Sequence, residues 1–459
     1  MDEQQKFEYM TTAPVGRLVG RMAVPTVISM LITSIYNMAD TFFVGQLNNT
    51  SATGAVGVVF SFMAIIQACA FLFGQGSGNC ISRLLGQQRH SEAERMASIG
   101  FFTAVFVGCV ITALGLLFLD PLAVLLGSTE TILPYAREYL GIILLGAPWM
   151  IGALVLNNQL RFQGSAFYGM IGIGAGGVLN MFLDPVFIFG LDMGVVGAAA
   201  ATAISQAVSF VLLLIGTTRG ANLRIKPRLF RPSLAAYGEI VRGGFPSLCR
   251  QGLSSLSTIC LNYTAGIFGQ DAAIAGMAIA TRITHLAFAA LLGFGQGFQP
   301  VCGFNYGAGL YERVKKAFWF CVKLGTVLLL TAAVLGAWFA PQLVDLFSDD
   351  GAVLDMAALT LRLHCIGFPL LAWTTMCTMM TQTMGRVVAS SFLSMARHGL
   401  FFVPFVVGLP YLFQVLPFGI PPLLGVQIAQ PLADIATCIV AIPVCRSVTA
   451  RYLTENKTP

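Results

Sequence analysis

Gly74-Gln75-Gly76 returns as Gly295-Gln296-Gly297, 221 residues further along the chain. The same offset carries Pro25 to Pro246, Gly86 to Gly307, Gly146-x-Pro148 to Gly367-x-Pro369, and Gly164 to Gly385. Glycine and proline set backbone shape, so these residues are expected to act as breakers at matching places in two similar folds. Both halves are strongly apolar. A duplicated hydrophobic chain implies a transporter built from two helical bundles, with a path or site between or within them.

Composition agrees. Hydrophobic residues make up 56% of the 459 and charged residues 10%, where a soluble domain carries roughly 25% charged. The mean hydropathy is +0.79, which leaves too little polar surface to coat a soluble particle. The expected fold class is an all-α integral membrane protein. Apolar stretches of about 20 residues place twelve transmembrane helices near 17–44, 53–78, 93–119, 132–157, 165–190, 195–217, 240–268, 273–300, 314–339, 354–381, 387–412 and 421–446. They divide into a six-helix bundle over 1–218, a linker over 219–241 and a second six-helix bundle over 242–459. The linker, with Arg219, Arg224, Lys226, Arg228 and Arg231, is too charged to span. Met1 to Tyr9 is acidic and polar, so no signal peptide is read there and the chain is expected to insert through its first span.

Basic residues fix the expected orientation. Arg83, Arg89 and Arg95, then Arg161, the linker, Arg313 with Lys315 and Lys316, Arg386, and finally Arg446, Arg451 and Lys457 fall on one side. Asp120, Glu130, Asp192, Asp271, Asp345, Asp349 and Asp350 fall on the other. Both termini are therefore expected to be cytoplasmic, in a multi-pass protein of the plasma or inner membrane. The net charge of +6 is this topology signal, and no nucleic-acid partner is expected.

Several patterns carry no chemistry. The eleven cysteines are scattered and form no Cys-x-x-Cys pair, so they read as small apolar fillers and no metal site is expected. His90, His285, His364 and His398 are dispersed as well. Gly172-x-Gly174-x-x-Gly177 matches a dinucleotide fingerprint, but no strand precedes it and it lies in an apolar span. Its expected use is close helix packing. The Asn-x-Thr triplets at Asn48 and Asn262 are weak, the second lying in a span.

The informative residues are the acids placed inside spans: Asp40, Asp184 and Asp434. Each costs about 2.5–3.5 kcal/mol on insertion scales and calls for a functional reason. Thr33, Asn37 and Asp40 share one face of the first span; Asn180 and Asp184 are one turn apart in the fifth. The sixth span adds Thr202, Ser205, Gln206 and Ser209, and the fourth adds Tyr139 and Asn157. Carboxylate, amide and hydroxyl oxygens around one pocket suit a hard monovalent cation, or a proton shared between two carboxylates. Pro185 follows Asp184 and removes the hydrogen bond to the Met181 carbonyl. The expected kink is either a switch beside the acid or a static bend.

The halves resemble the multidrug and toxic compound extrusion (MATE) family of antiporters. The resemblance rests on Pro25-Thr26, Tyr36-Asn37-Met38-Ala39-Asp40-Thr41, Gly74-Gln75-Gly76, Asn180-Met181-Phe182-Leu183-Asp184-Pro185, Gln299-Pro300 and Phe304-Asn305-Tyr306-Gly307-Ala308. It covers about Pro25 to Arg446. It implies ion coupling at Asp40, Asn180, Asp184 and Thr202, and a substrate cavity with Tyr36, Asn37, Tyr139 and Asn157. One branch of the family has a further carboxylate in the first span of the second half. Here 246–267 has none but carries Arg250 and Gln251. Asp434 is expected to pair with Arg250 or Arg397.

The implied function is secondary active export of amphipathic, cationic small molecules in exchange for H+ or Na+, by a monomer surrounded by membrane lipids and without a cofactor. Phenylalanine and methionine suit such cations through cation–π contact and adaptable packing. The alternative is a flippase or exporter of a lipid-linked, polyanionic precursor, which needs a basic cavity that only Arg250, Arg282 and Arg397 can supply. An intramembrane enzyme is disfavoured by the lack of a His-Glu-x-x-His or Gly-x-Gly-Asp signature. A channel is disfavoured because the polar groups cluster in one half.

Overall fold

The computed structural model describes residues 2–47, 49–220, 222–347, 351–415 and 419–453. Over these the chain is helical, with no strand. Lipid offers backbone amides no water, so helices that satisfy their own amides follow from composition. A short polar helix α1 (Glu3–Thr12) comes first, capped by Asp2, whose carboxylate accepts from the Gln5 amide at 2.7 Å. The N-terminal half continues with α2 (Val15–Gly45), α3 (Thr50–Gly86), α4 (His90–Leu117), the short α5 (Leu119–Leu125), α6 (Leu133–Phe162), α7 (Ala166–Pro185) and α8 (Gly194–Thr217). A π-helical turn, Val186–Gly190, follows α7. The C-terminal half has α9 (Leu234–Gly307), α10 (Tyr311–Trp338), the short α11 (Ala340–Asp345), α12 (Gly351–Thr383), α13 (Val387–Met395), a second π turn at Ala396–Leu400, α14 (Phe402–Val415) and α15 (Pro422–Tyr452).

Among the described residues eleven helices are long and apolar enough to cross a membrane. The remaining expected span, 240–268, falls on the first limb of α9, which is not among the eleven. That helix is two helices meeting at Gln270, whose φ is 54°. Its second limb, Ala272–Gly307, is among the eleven. Its first limb, 234–269, is more polar because it holds Arg250, Gln251 and a run of serines. The helix starts at Leu234, so ordered structure begins inside the stretch read as linker. Asp349, Asp350 and Lys457, and the Asn48 triplet's asparagine, lie outside the described residues, as does the Asp271 side chain.

The Gly-Gln-Gly stretches are not breakers. Both sit inside unbroken helix, in α3 and in the second limb of α9. Their glycines serve contact instead. A Cβ on Gly76 would strike the Ile240 carbonyl, and one on Gly297 would strike the Ala23 backbone. Without a hydrophobic drive between helices in lipid, close approach at small residues supplies the attraction. The two halves thus meet along α3 with α9 and α2 with α9. One pair of contacts is reciprocal: Gly86 abuts the Phe304 backbone, and Gly307 abuts the Arg83 backbone.

The basic ends of the halves are tied together. Arg83 pairs with Glu239 at 2.6 Å and donates to the Thr383 carbonyl at 2.7 Å. Arg161 is buried and donates to Gln296 Oε1 at 2.5 Å across the halves. α1 joins both: Lys6 Nζ donates to Ser165 Oγ at 2.8 Å, while Asn305 donates to the Met10 carbonyl at 3.2 Å and Arg313 to the Ala13 carbonyl at 2.7 Å. The linker is fastened to the first half by Lys226 with Glu94 at 3.0 Å and by the Leu223 amide to Gln163 at 2.7 Å. Further from this end the halves share a long bond, Gln251 to Gln67 at 3.5 Å.

Candidate ion and substrate site

The glycine stripe of α7 decides where the acids meet. A Cβ on Gly172 would strike Leu213, and one on Gly176 would strike Ser209, both on α8. Gly174 and Gly177 turn instead to Ile32, and Gly177 also to Tyr36, on α2. One helix therefore packs tightly against two others through two small-residue faces. This is the packing use expected of the Gly172-Gly174-Gly177 pattern. Its consequence is that Asp40 of α2, Asp184 of α7 and Thr202 of α8 converge.

Asp184 is fully buried. Asn180 Nδ2 donates to Asp184 Oδ1 at 3.2 Å and to Thr202 Oγ1 at 3.3 Å. One amide thus holds the carboxylate and the hydroxyl together. Asp184 Oδ2 and Asn180 Oδ1 are buried and accept nothing among the described residues, and the same holds for Asp40 Oδ1. Asp40 and Asp184 lie within electrostatic reach of each other, and Tyr139, almost wholly buried, is within reach of both. Tyr36 lies beside Asp40 and accepts from Gln206 Nε2 at 3.4 Å. Asn37 is half-buried on the same helix. Buried acceptors without donors are costly, since each forfeits its hydration. A proton or a cation would satisfy these oxygens.

Asn157 stands apart. It donates to the Gly169 carbonyl at 3.1 Å, near the start of α7. Asp184 is 15 residues further on, or about 22 Å at 1.5 Å per residue. Pro185 ends α7, and the π turn that follows changes the hydrogen-bond register beside the acid. Such turns concentrate at functional places.

In the other half Arg397 Nε donates to Asp434 Oδ1 at 2.8 Å. Of the two partners expected for Asp434, Arg397 is the one in contact. Gln430 also donates to that oxygen at 3.0 Å. Sequence reading treated Arg161 as a topology marker and missed its buried bonds to Gln296 and to Asn158, the latter at 2.6 Å. The signal was available in the amide-rich run Asn157-Asn158-Gln159 with Gln163 around it.

Comparison with known proteins gives the same picture of a repeated fold. The MatE family model matches residues 25–186 and again 246–407, the two matches being offset by the repeat length. The multidrug export protein MepA of Staphylococcus aureus (strain NCTC 8325 / PS 47) is 28% identical over 365 residues, covering 79% of this chain and 80% of that protein. A crystal structure of MATE in complex with MaL6 superposes with a TM-score of 0.90 at 27% identity, over 97% of this chain and 98% of that one. A multidrug resistance MATE family transporter of the MOP superfamily, in an outward-facing conformation, gives 0.88 at 28% identity, over 96% and 98%. With two repeats matched across most of its length and a whole-chain structural likeness, this chain belongs to the MATE family of multi-pass membrane transporters.

Proposed function

We propose that the chain exports amphipathic, chiefly cationic small molecules across the cell membrane, in exchange for H+ or Na+ bound at Asp40, Asn180, Asp184 and Thr202. The observation that carries this reading is the pair of carboxylates, each with a buried oxygen that accepts no hydrogen bond among the described residues. Two carboxylates in reach of one another repel, so one bound cation or proton is strongly favoured. Coupling needs only that this affinity differ between the two facing states. The name of the Staphylococcus aureus relative supports drugs as the cargo. In this reading Tyr36, Asn37 and Tyr139 contact the cargo beside the carboxylates, and Pro185 with its π turn gives α7 a place to shift register. No cofactor enters, and one chain holds both halves, so the working unit is a monomer.

The bonds between the halves are concentrated at the basic end. By the positive-inside rule that end is cytoplasmic, so this state opens outward. Alternating access then requires the Arg83, Arg161 and α1 ties to break. Single cysteines replacing Arg224 and Glu130, in a cysteine-free background, are expected to react with an impermeant maleimide from opposite sides of the membrane. Reaction of both from one side would remove the topology.

The export reading is tested in proteoliposomes loaded with ethidium, with sodium and pH gradients imposed separately. Efflux driven by one of them is expected; none under either would overturn it. Thr202→Ala removes a neutral ligand and is expected to shift the ion dependence several-fold while leaving maximal efflux near normal. Asn180→Ala frees both groups its amide holds and should cost more. Equal ion dependence in all three proteins would take Thr202 and Asn180 out of the site.

A further inference from the structure

We propose that the recess in the second half lined by Arg250, Arg397 and Ser394 is a subsite for one oxyanion, the carboxylate of a transported amphipathic solute. This rests on the export reading above and assigns recognition of an acidic group on the cargo to named residues of the second half.

The recess lies between both limbs of α9, α12, α13, the second π turn and α15, and leaves about 30 Å3 of free space, room for one small polar group with the rest of a ligand at its mouth. Its walls are Phe288, Leu292, Met379 and Leu393. Thr374, Thr378 and Thr437 also line it but donate their hydroxyls to their own helix carbonyls, so the charged or buried donors free to face the recess are the two arginines and Ser394. Arg397 is pinned on three sides: Nε to Asp434 at 2.8 Å, Nη1 at 3.3 Å from His398 Nε2, and the guanidinium stacked 4.3 Å from the Phe288 ring centroid. Its Nη2 has no partner among the described residues. Arg250 has neither an ion pair nor a hydrogen bond among them, and it faces the same recess. Ser394 is 5% exposed, and its Oγ is buried without a partner.

Charge is unbalanced in the same sense. No aspartate or glutamate lines the recess. Asp434 sits behind Arg397 with its side chain 3% exposed and neutralises that one guanidinium. Arg250 stays uncompensated, and Arg161, whose bonds are to neutral amides, is within its electrostatic reach. A charge placed inside a membrane span is costly and implies a partner. The partner's chemistry follows from the donors. Guanidinium groups match planar oxyanions through paired N–H bonds. A pinned arginine loses little entropy on binding. The apolar and aromatic side chains at its rim favour an anion carried on an apolar body that stays at the mouth. Arg282 is absent from the lining, so two guanidinium groups and a hydroxyl fit a single carboxylate better than a pyrophosphate.

The test is equilibrium binding to the purified full chain in neutral detergent, read by fluorescence with coumarin-3-carboxylate and its ethyl ester. No gradient is involved, so failure of ion coupling or of ethidium export leaves this measurement standing. The acid is expected to bind at least about tenfold more tightly than the ester, the range of one or two charge-assisted hydrogen bonds. Arg250→Gln should erase that preference by weakening the acid far more than the ester, and Arg250→Lys should restore part of it. Equal binding of acid and ester to the unmodified protein overturns the proposal, and this comparison decides should Arg250→Gln fail to fold. Unchanged acid binding in a folded Arg250→Gln protein overturns it as well. Phosphatidylglycerol added to the micelles separates solute from lipid headgroup. Displacement of the acid by that lipid, with none by phosphatidylcholine, would make the occupant a headgroup and overturn the solute reading; indifference to both supports it.

Discussion

Asp184→Asn and Asp40→Asn are each expected to bring gradient-driven efflux down to the level of empty vesicles, with the protein still folded and inserted. Asparagine keeps the size of aspartate and one acceptor oxygen, turns the other into an amide donor, and removes the charge that an ion or proton neutralises. Coupling free energies are typically about 1–3 kcal/mol, or roughly 5–150-fold in affinity. Asp184 is fully buried and held by the Asn180 amide, so its loss belongs at the upper end. Stability should hold or rise, because a buried neutral amide costs less than an unpaired carboxylate. Efflux in proteoliposomes and a thermal melt of the same preparation separate the two effects. Wild-type efflux in both variants would dismiss the first-half site.

Asp434→Asn should do the reverse, lowering stability more than transport per folded molecule. The pair it breaks is largely enclosed, with side chains 15% and 3% exposed for Arg397 and Asp434. Removing one partner of a buried pair costs about 3–5 kcal/mol, because the other charge is stranded. Arg397 retains its contacts to His398 and Phe288, which places the expected loss near the low end of that range. The readout is melting temperature and yield set against efflux normalised to folded protein. Unchanged stability with abolished transport would move Asp434 from scaffold to cargo site.

Much of the architecture was legible because it follows from solvent. Every apolar stretch of spanning length became helix, and the breaks near 86–90, 163–165 and 309–311 fell at turns, where Gly164 and Gly309 take positive φ. The convergence of Asp40, Asp184 and Thr202 was legible from helical spacing together with family resemblance. Two things were not. Gly74-Gln75-Gly76 reads locally as a helix breaker, and only the facing helix reveals that its glycines admit the Ile240 backbone. Asn157 lies in the right helix for a cavity residue, but α6 is long enough to place it at the far end, bonded to Gly169. Both misses concern which partner lies across a contact, and that is fixed between elements rather than within them.

The reciprocal contact at the basic ends of α3 and α9 has an ancestral meaning. Gly86 abuts residue 304 and Gly307 abuts residue 83; subtracting the repeat length turns each contact into the other. That is the rule of an isologous interface, in which the same patch on two copies meets itself. A single polypeptide here keeps the geometry of a two-fold homodimer whose subunits were joined by a basic tether. Fusion freed the copies to diverge. Asp40 and Asp184 correspond to Leu261 and Phe405, while Asp434 and Arg397 correspond to Leu213 and Gly176. One descendant kept or gained carboxylates, the other an arginine pocket. On the alternating-access reading proposed above, the shared seam stays symmetric because both halves rock against it, and the charges differ because, once fused, neither half had to do the other's work.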